Sequence, residues 1–549
     1  MSDSSKPWSA YMLDTYIERK PLAVPSFYFD DLEREAREKL KDRQDAFLYV
    51  FGSAGNCSAE RWNRRELERW RIVPRMLRDA TERNLETTLF GVTHRSPLLV
   101  APVGVQGIVH PDGEIATARA ARAVGVPYIM STASTRTIEA VAAASGDGHR
   151  WYQLYWPVDK DITLSLLRRA KQNGFSALVI TLDTMLLGWR PHDLQTAYLP
   201  FLHGVGAQVG LSDPVFMKMH GEEPIFDVPE FPYEPKKVEK RLQAGDEKTE
   251  RTVNMAIQWM RQTNSGTFRT WEDLKFVRDN WDGPLVIKGI MSLKDAELAM
   301  SHGVDGIVVS NHGGRQVEAA APAIWALEKI CASPKVKAAQ KSGKFTVLFD
   351  SGIRTGSDIL KAVALGAQGV LSYVPPGAFC LTVMLTAPTV ARPYMYGLAA
   401  AGQPGVEQVL KAILADAEIS LGLSGYKNLQ EIWGQADEVQ VDIKVTACFE
   451  REEMSADSSV SNSGATAPNT RGAGLEAPQE CLTCRIIGTG ALAATGLYAL
   501  NQSRAHQPGL PYWQRLPMVE VTYESGYVNF ARVQRLTNLL AKINTHVDQ

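Results

Sequence analysis

The chain has 549 residues, of which 45% are hydrophobic and 22% charged, a composition typical of a soluble globular enzyme with a large core. Its 59 basic and 61 acidic residues nearly cancel, so the charge balance gives no reason to expect a nucleic-acid partner. Six cysteines are too few and too scattered for a disulfide framework, which indicates a reducing compartment.

The first 85 residues predict a helical segment that precedes the main domain. Residues 30–43 have the pattern of an amphipathic helix, and the stretch YVFGSAG at 49–55 predicts a glycine-rich turn.

Residues 86–444 are the predicted main domain. From about Leu98 to Val370 this domain repeats one pattern, in which a short apolar run is followed by a turn and then by a helical stretch rich in Ala, Leu and charge. Runs that are apolar on both faces and separated by helices predict an α/β fold with a covered parallel sheet. Eight such units predict a closed (β/α)8 TIM barrel. An eighth run begins at Gly369 and is then disturbed. The seven clear runs cover residues 98–104, 126–132, 151–156, 177–183, 285–290, 306–312 and 346–352.

Two long excursions interrupt this pattern. Between residues 184 and 267 the alternation stops for much longer than a usual βα loop, which predicts a lid after the fourth strand. Residues 371–391 are apolar, carry Pro375 and Pro376 and have no charge, which is unusual for a surface loop and wrong for a strand. We interpret this insert either as the product of a retained intron or as a genuine loop.

The chain after residue 444 has a different character. Residues 445–480 are rich in Ser, Ala, Thr, Asn and Gly, which predicts a disordered linker. The tail, 481–549, begins with Cys481-Leu482-Thr483-Cys484, which reads as two free thiols or as a metal half-site or redox pair. The run 485–500 predicts a short hydrophobic helix, shorter than the roughly 20 residues that span a membrane.

Localisation follows from the two ends of the chain. Met1 to Tyr11 has no apolar run of the kind found in signal peptides, so we expect a cytoplasmic protein. The alternatives are a mitochondrial or a membrane-attached protein, and membrane contact is expected only through 485–500.

One motif points to catalysis. Ser310-Asn311-His312-Gly313-Gly314-Arg315-Gln316 directly follows the apolar run that begins at Gly306. A His with an Arg three residues on, at the carboxyl end of a strand, sets a general base beside an anion clamp. The alternative is an ordinary strand-to-helix turn that happens to contain a His and an Arg. The other candidate residues also lie at or just past the ends of runs, where barrel enzymes build their sites.

Taken together, the motifs resemble those of the FMN-dependent α-hydroxy acid oxidases and dehydrogenases. The likeness covers about residues 30–425 and rests on SNHGGRQ, DSGIRTG, VIKG and QLYW, with WRIVPRML, HPDGE and WRP in support. It implies FMN as cofactor, a small 2-hydroxy acid and O2 as substrates, no metal, and a homo-oligomer.

The resemblance also implies roles for individual residues. Oxidising a 2-hydroxy acid to the 2-keto acid requires a base, a carboxylate clamp and an electron acceptor beside the α-carbon. His312 would be the base, and Asp183 would orient it and stabilise its protonated form. Two arginines would clamp the carboxylate with forked donors, and two tyrosines would place hydroxyls on the substrate. These four are Arg190, Arg315, Tyr49 and Tyr155.

The flavin would be held by a second set. Lys288 would place a cation near the N1/C2 carbonyl edge of the ring, where negative charge develops on reduction. The phosphate would lie in the late-loop site common to barrels. The ring contacts implied by the resemblance are Pro102, Val103, Gly104, Ser131, Gln153, Thr181 and Ser310, and the phosphate contacts are Asp350, Gly352, Arg354 and Arg392.

Gly104 and the lid suggest a subgroup. The family's oxidases usually carry Ala at this position, and Gly with a long lid resembles the lactate 2-monooxygenase branch, in which retained pyruvate is decarboxylated to acetate, CO2 and water. Product retention is a property of the lid. We expect this activity; the alternatives are an oxidase that releases H2O2, a dehydrogenase that passes electrons to a cytochrome or quinone, and a non-catalytic barrel fused to a membrane tail.

The tail has a resemblance of its own, through CLTCRIIGTGALAATGLYALNQ, to distal membrane-arm assembly complex protein 1. Either a genuine fusion or a mispredicted fusion of neighbouring genes would explain it.

Overall fold

Eight parallel strands close into a barrel in the computed structural model, which describes residues 6–19, 21–372 and 392–441. Each strand pairs with its neighbour along the chain, and the eighth pairs with the first through Leu371 and Leu99. This confirms the predicted (β/α)8 barrel. The strands are β1 (Leu98–Val100), β2 (Tyr128–Ser131), β3 (Arg150–Leu154), β4 (Leu178–Thr181), β5 (Leu285–Ile290), β6 (Gly306–Val309), β7 (Thr346–Phe349) and β8 (Gly369–Ser372).

The strands are apolar on both faces because one face packs inside the barrel and the other packs against the helices. One residue of every strand belongs to a compact cluster that fills the barrel, and the alternate residues pack outward against the helices. Most predicted runs extend beyond the strands at their carboxyl ends, because the residues there leave the hydrogen-bonded ladder and form the loops of the site. The members of the inner layer are Leu99, Ile129, Trp151, Val179, Val286, Val308, Leu348 and Leu371.

Helices cover the barrel between successive strands. Several begin at a side-chain cap: Asp159 accepts from two backbone amides at the third helix, and Thr355 forms a capping box with Asp358 at the seventh. The eighth is broken at Gly402, which has φ 63°, and Pro404 follows the break. The helices are α1 (Glu114–Val124), α2 (Ile138–Ser145), α3 (Lys160–Gln172), α4 (Leu274–Asn280), α5 (Leu293–Ser301), α6 (Ala323–Ala332), α7 (Gly356–Ala364) and α8 (Arg392–Leu423), and Pro334–Lys341 follows α6.

Four further helices precede the barrel: Ala10–Glu18, Phe29–Lys39, Gln44–Phe51 and Ser58–Arg69. The helix expected over 30–43 is Phe29–Lys39. The turn expected over 49–55 is partly wrong, because Tyr49 to Phe51 form the end of a helix and the turn begins only at Gly52. A hairpin of Thr87–Leu89 and Val92–His94 follows, and the short strand Trp70–Ile72 pairs antiparallel with Val439–Val441.

The excursion after β4 is largely helical. It contains Pro191–Gln195, Gln208–Leu211, Pro214–Met219, Pro235–Gln243 and Glu247–Thr263, together with the 3-10 turn Pro200–His203. The last of these helices buries Trp259 and Thr263. The segment expected to be a lid is therefore a folded subdomain, which we call the lid (residues 184–267).

Several expectations fall on residues outside the described ranges. Leu371 and Ser372, assigned to the insert from sequence, belong to β8, whereas 373–391 are not described. The linker 445–480 and the tail 481–549 are not described either, and the division of the chain into units 1–458 and 459–549 falls inside the predicted linker. Within the described ranges, no helix combines the length and apolarity needed to cross a membrane.

Candidate active site

A cavity that is partly open to solvent lies at the carboxyl ends of the strands. The lid supplies much of its wall through Leu187, Arg190, Phe201, Trp259 and Met260. The structure thus brings residues from distant parts of the chain to one site. Ten residues predicted from the sequence line it: Tyr49, Pro102, Val103, Gly104, Tyr155, Arg190, Lys288, His312, Arg315 and Asp350.

His312 and Asp183 form the predicted pair. Nδ1 of His312 lies 2.6 Å from Oδ1 of Asp183. Burial raises the pKa of Asp183, but His312 and Lys288 outweigh it and hold that pKa well below its usual value. An ionised carboxylate only accepts, so Nδ1 carries the proton and Nε2 is the basic nitrogen of the neutral ring. Burial lowers the pKa of His312, and Asp183 opposes this effect.

Lys288 lies between two carboxylates. Its Nζ is 3.7 Å from Oδ2 of Asp183 and 3.6 Å from Oδ2 of Asp350. Burial lowers the pKa of Lys288, but the two carboxylates outweigh it and the net shift is upward. The side chain is therefore a fixed cation, as expected for a group that stabilises negative charge on a cofactor.

The two arginines meet in the cavity, where some of their N–H groups already donate hydrogen bonds to protein oxygens. Arg190 donates from Nε to the carbonyl of Arg315, 3.0 Å, and from Nη2 to Oε1 of Gln316, 2.6 Å. Arg315 donates to the backbone carbonyls of Tyr49, Val50 and Gly52, at the end of the helix Gln44–Phe51. Burial and then the charge of Arg315 lower the pKa of Arg190. Two like charges in one buried site attract a carboxylate, as the clamp requires.

Both predicted tyrosines stay protonated at neutral pH. Burial raises the pKa of Tyr49 to about 12 and also raises the pKa of Tyr155. Each side chain therefore offers a hydroxyl rather than a phenolate to a substrate in the cavity.

Three predicted ring contacts form one buried hydrogen-bonded row at the ends of β2, β3 and β4. Ser131 Oγ donates to Gln153 Oε1 over 3.1 Å, and Gln153 Nε2 donates to Thr181 Oγ1 over 2.9 Å. The row fixes the orientation of the Gln153 amide. Ser310 is also buried, and its hydroxyl accepts from the backbone N–H of His312 over 3.1 Å.

The predicted phosphate site contains a buried guanidinium whose surroundings fit an anion. All three guanidinium nitrogens of Arg354 are buried, and none finds a hydrogen-bond partner among the described residues. Burial and then Arg64 lower the pKa of Arg354 well below its usual value. A buried unpaired charge costs about 3–5 kcal/mol, so the site fits a phosphate that offsets this cost. Phe29 covers the guanidinium, with its ring centroid 5.7 Å from Cζ.

Gly352 has a backbone conformation and a close neighbour that favour glycine. Its φ is 107°, and a Cβ there would lie 2.5 Å from Cδ1 of Leu67. The positive φ and the nearness of Leu67, on the helix Ser58–Arg69, both favour glycine at this position, and close approach to a phosphate stays a prediction. Arg392 begins α8, but its side chain lies outside the described part of the structure.

Two polar residues of the site were missed from sequence. Thr184 donates to Oδ1 of Asp183 over 2.7 Å and lies 3.1 Å from Nδ1 of His312. Gln316 donates to the carbonyls of Asp183 and Leu186, each over 2.8 Å, and so ties the start of the lid to the loop after β6. Gln316 stood in the SNHGGRQ motif and could have been found, whereas nothing local marked Phe201 or Trp259.

Comparison with known proteins agrees with this geometry. A model of the FMN-dependent dehydrogenase family matches residues 36–375 and 385–439, and its gap falls inside the predicted insert. Residues 480–513 match a DMAC1/Dmo2-like domain, which confirms the resemblance of the tail.

Individual relatives cover most of the barrel. The chain is 42% identical over 400 residues to an FMN-dependent alpha-hydroxy acid dehydrogenase of Penicillium citrinum, covering 73% of this chain and 87% of that protein. It is 35% identical to an L-lactate oxidase of Lysinibacillus sphaericus, covering 73% and 90%. A solved mandelate oxidase with (S)-4-hydroxymandelic acid superposes with a TM-score of 0.58 at 35% identity, covering 75% and 98%. The chain therefore belongs to the family of FMN-dependent α-hydroxy acid dehydrogenases and oxidases.

Proposed function

We propose that this enzyme oxidises an L-2-hydroxy acid of lactate type with O2 and retains the 2-keto acid until it is decarboxylated, as a lactate 2-monooxygenase does. The observation that supports oxidation most directly is the His312–Asp183 contact of 2.6 Å in a cavity that also holds Arg190 and Arg315. Base and clamp are thus present together, as the reaction requires.

The protein's part in the reaction can be followed from these residues. The two guanidinium groups and the Tyr49 hydroxyl bind the carboxylate and fix the substrate's orientation. Nε2 of His312 takes one proton as the hydroxy acid becomes the keto acid, and Asp183 stabilises the imidazolium that forms. FMN, when bound, would accept the two electrons that leave the α-carbon together with the second proton. Lys288 supplies positive charge beside the site where the cofactor becomes more negative.

Retention of the product is the finer part of the proposal. Arg190, a carboxylate ligand, stands on the lid, and the lid also contributes Phe201, Trp259 and Met260 to the cavity wall. A keto acid bound to Arg190 leaves only when the lid moves, so release is slow relative to chemistry. O2 would take up the two electrons and two protons removed from the substrate to give H2O2 in the same closed space. The H2O2 then attacks the keto carbonyl, releasing CO2 and leaving a carboxylic acid and water.

A second candidate is a simple oxidase that releases H2O2 and the keto acid. It is favoured by the relatives, which include a protein named L-lactate oxidase and a solved mandelate oxidase. The two candidates share every catalytic residue and differ only in how long the product stays bound.

One assay separates them. The purified flavoprotein is given L-lactate or, in parallel, L-mandelate, and O2 uptake, H2O2, keto acid and the decarboxylated acid are measured together. We expect one decarboxylated acid per O2 from L-lactate, with little peroxide. Stoichiometric peroxide and pyruvate would assign the simple oxidase, and flavin that stays oxidised with every 2-hydroxy acid would refute the proposed chemistry.

A further inference from the structure

A buried carboxylate lies behind one wall of the cavity, in the HPDGE motif that the catalytic roles leave unexplained. Glu114 is the first residue of α1 and is fully buried. Its Oε1 accepts from the backbone N–H of Gln106, 3.1 Å, and from that of Thr135, 2.9 Å. Its Oε2 accepts from the Thr135 hydroxyl. One carboxylate thus joins the loop after β1 to the loop after β2.

Further hydrogen bonds strengthen this junction. The Thr135 hydroxyl also accepts from the backbone N–H of Gly107 over 3.1 Å, and the N–H of Val105 donates to the carbonyl of Ala133 over 2.8 Å. The Gln106 side chain donates to the carbonyl of Val103 over 3.1 Å. Residues 102–105, which line the cavity, are therefore held through two backbone atoms, the Val103 carbonyl oxygen and the Val105 nitrogen.

Two features mark backbone strain and close approach at this junction. Val105 has φ 59°, a left-handed conformation that a β-branched residue rarely adopts. A Cβ added at Gly104 would lie 2.5 Å from Cβ and 2.8 Å from the carbonyl oxygen of Ala133. Only glycine fits at 104 while the loops keep this separation.

We propose that Glu114 and Thr135 are positioning residues for the flavin. They fix the distance between the two loops. This distance determines the position of the Pro102 to Gly104 backbone relative to the cofactor, and it requires glycine at residue 104. The inference rests on flavin binding in the cavity but not on which acid is oxidised or whether the product is retained.

The first test removes one atom of the junction. Thr135→Val keeps the shape of the side chain but loses the hydroxyl, so Gly107 and Oε2 of Glu114 lose their partner. Thr135→Ser keeps the hydroxyl and is the matched control. We expect Thr135→Val to lose FMN at least tenfold more readily on ultrafiltration and to shift the visible flavin spectrum, and Thr135→Ser to match the wild type. Wild-type retention and spectrum in Thr135→Val would overturn the proposal.

The second test is a double-mutant cycle with Gly104→Ala, again read as FMN retention and flavin spectrum without substrate. In the wild-type background the added methyl meets Ala133, so FMN retention falls. In the Thr135→Val background the loops can separate, so the same methyl has a smaller effect. Additive effects of the two substitutions would overturn the proposal.

Two further variants separate loss of the junction from a general folding defect. If Thr135→Val does not fold, Glu114→Gln takes its place in the cycle, because the amide keeps an oxygen for the two backbone donors but replaces the oxygen that binds Thr135. Asp213→Asn removes another fully buried carboxylate, within the lid, and is expected to lower the melting temperature without changing the flavin spectrum. A matching spectral shift in Asp213→Asn would show general loosening and would also overturn the proposal.

Discussion

At the scale of single residues, the protonation state of His312 decides the chemistry. Burial lowers its pKa below the ordinary value of about 6.5, so the ring is neutral and basic at neutral pH. Asp183 opposes the effect of burial on this pKa, and so it stabilises the imidazolium that forms during turnover. The 2.6 Å contact therefore serves orientation and charge at once.

His312→Gln should keep FMN but lose turnover. Loss of general-base catalysis lowers kcat by about 10²–10⁴-fold, and the flavin should stay oxidised when L-lactate is added without oxygen. In the wild type, kcat/KM should be constant near neutral pH and fall only as pH drops below about 6.5, because protonation of His312 removes the base. Rapid anaerobic bleaching of the variant, or an acid limb well above that pH, would refute the base assignment.

At the scale of elements, a buried ion cluster joins α7 to the helix Ser58–Arg69. Asp358 is fully buried and accepts from Arg64 over 2.7 Å and from Lys361 over 3.1 Å. The same carboxylate accepts from the backbone N–H of Arg354 over 3.0 Å, at the predicted phosphate turn. The cluster therefore supports the turn that carries the unpaired guanidinium.

Asp358→Asn should destabilise the fold strongly. The amide leaves Lys361 buried without a counter-ion and leaves Arg64 with only the partly exposed Glu68. An uncompensated buried charge costs about 3–5 kcal/mol, which is the expected loss of unfolding free energy in urea. The matched control is Asp282→Asn, which breaks an exposed pair with Lys171 and should change little. Equal unfolding midpoints for the two variants would contradict the role of the cluster.

The contribution of Asp358 to stability depends on pH. Burial raises the pKa of Asp358, but Arg64 and Lys361 outweigh it, and the folded-state pKa lies well below the usual value. This stabilisation is complete above the unfolded-state pKa of about 3.9 and is lost as pH falls below it toward the folded-state pKa. Asp358→Asn should therefore lose less stability than the wild type on acidification through that range.

At the scale of the whole molecule, the barrel is complete before the linker begins. β8 closes the sheet against β1, and the last described strand, Val439–Val441, pairs with Trp70–Ile72. The family match also ends at residue 439. Within the described ranges, the last residue of the cavity lining is Met395.

Ending the chain after Val445 should leave flavin content and activity unchanged, because a barrel that closes on itself does not need a linker or tail to fold. Both forms are purified in parallel and compared by flavin-to-protein absorbance ratio, melting temperature and turnover with L-lactate. Loss of flavin from the shorter form would show that the tail supports the barrel and that the predicted boundary is wrong.

The sequence by itself determined the barrel and most of the site. Apolar runs alternating with helical stretches encode a covered parallel sheet locally, and the polar residues that end those runs must meet at one rim. His312, Asp183 and Lys288 lie at the ends of such runs, whereas the family resemblance was needed to assign their roles and to add Arg190 of the lid and Arg315.

Closure of the fold decided the rest, because contacts between residues far apart in the chain leave no local pattern. Thr184 meets His312 across 128 positions, and the lid brings Trp259 into the cavity. The same closure sets Leu67 against Gly352, Arg315 against three backbone carbonyls, and Ala133 against Gly104. Sequence specified which residues reach the rim, and the tertiary structure alone fixed their distances and packing partners.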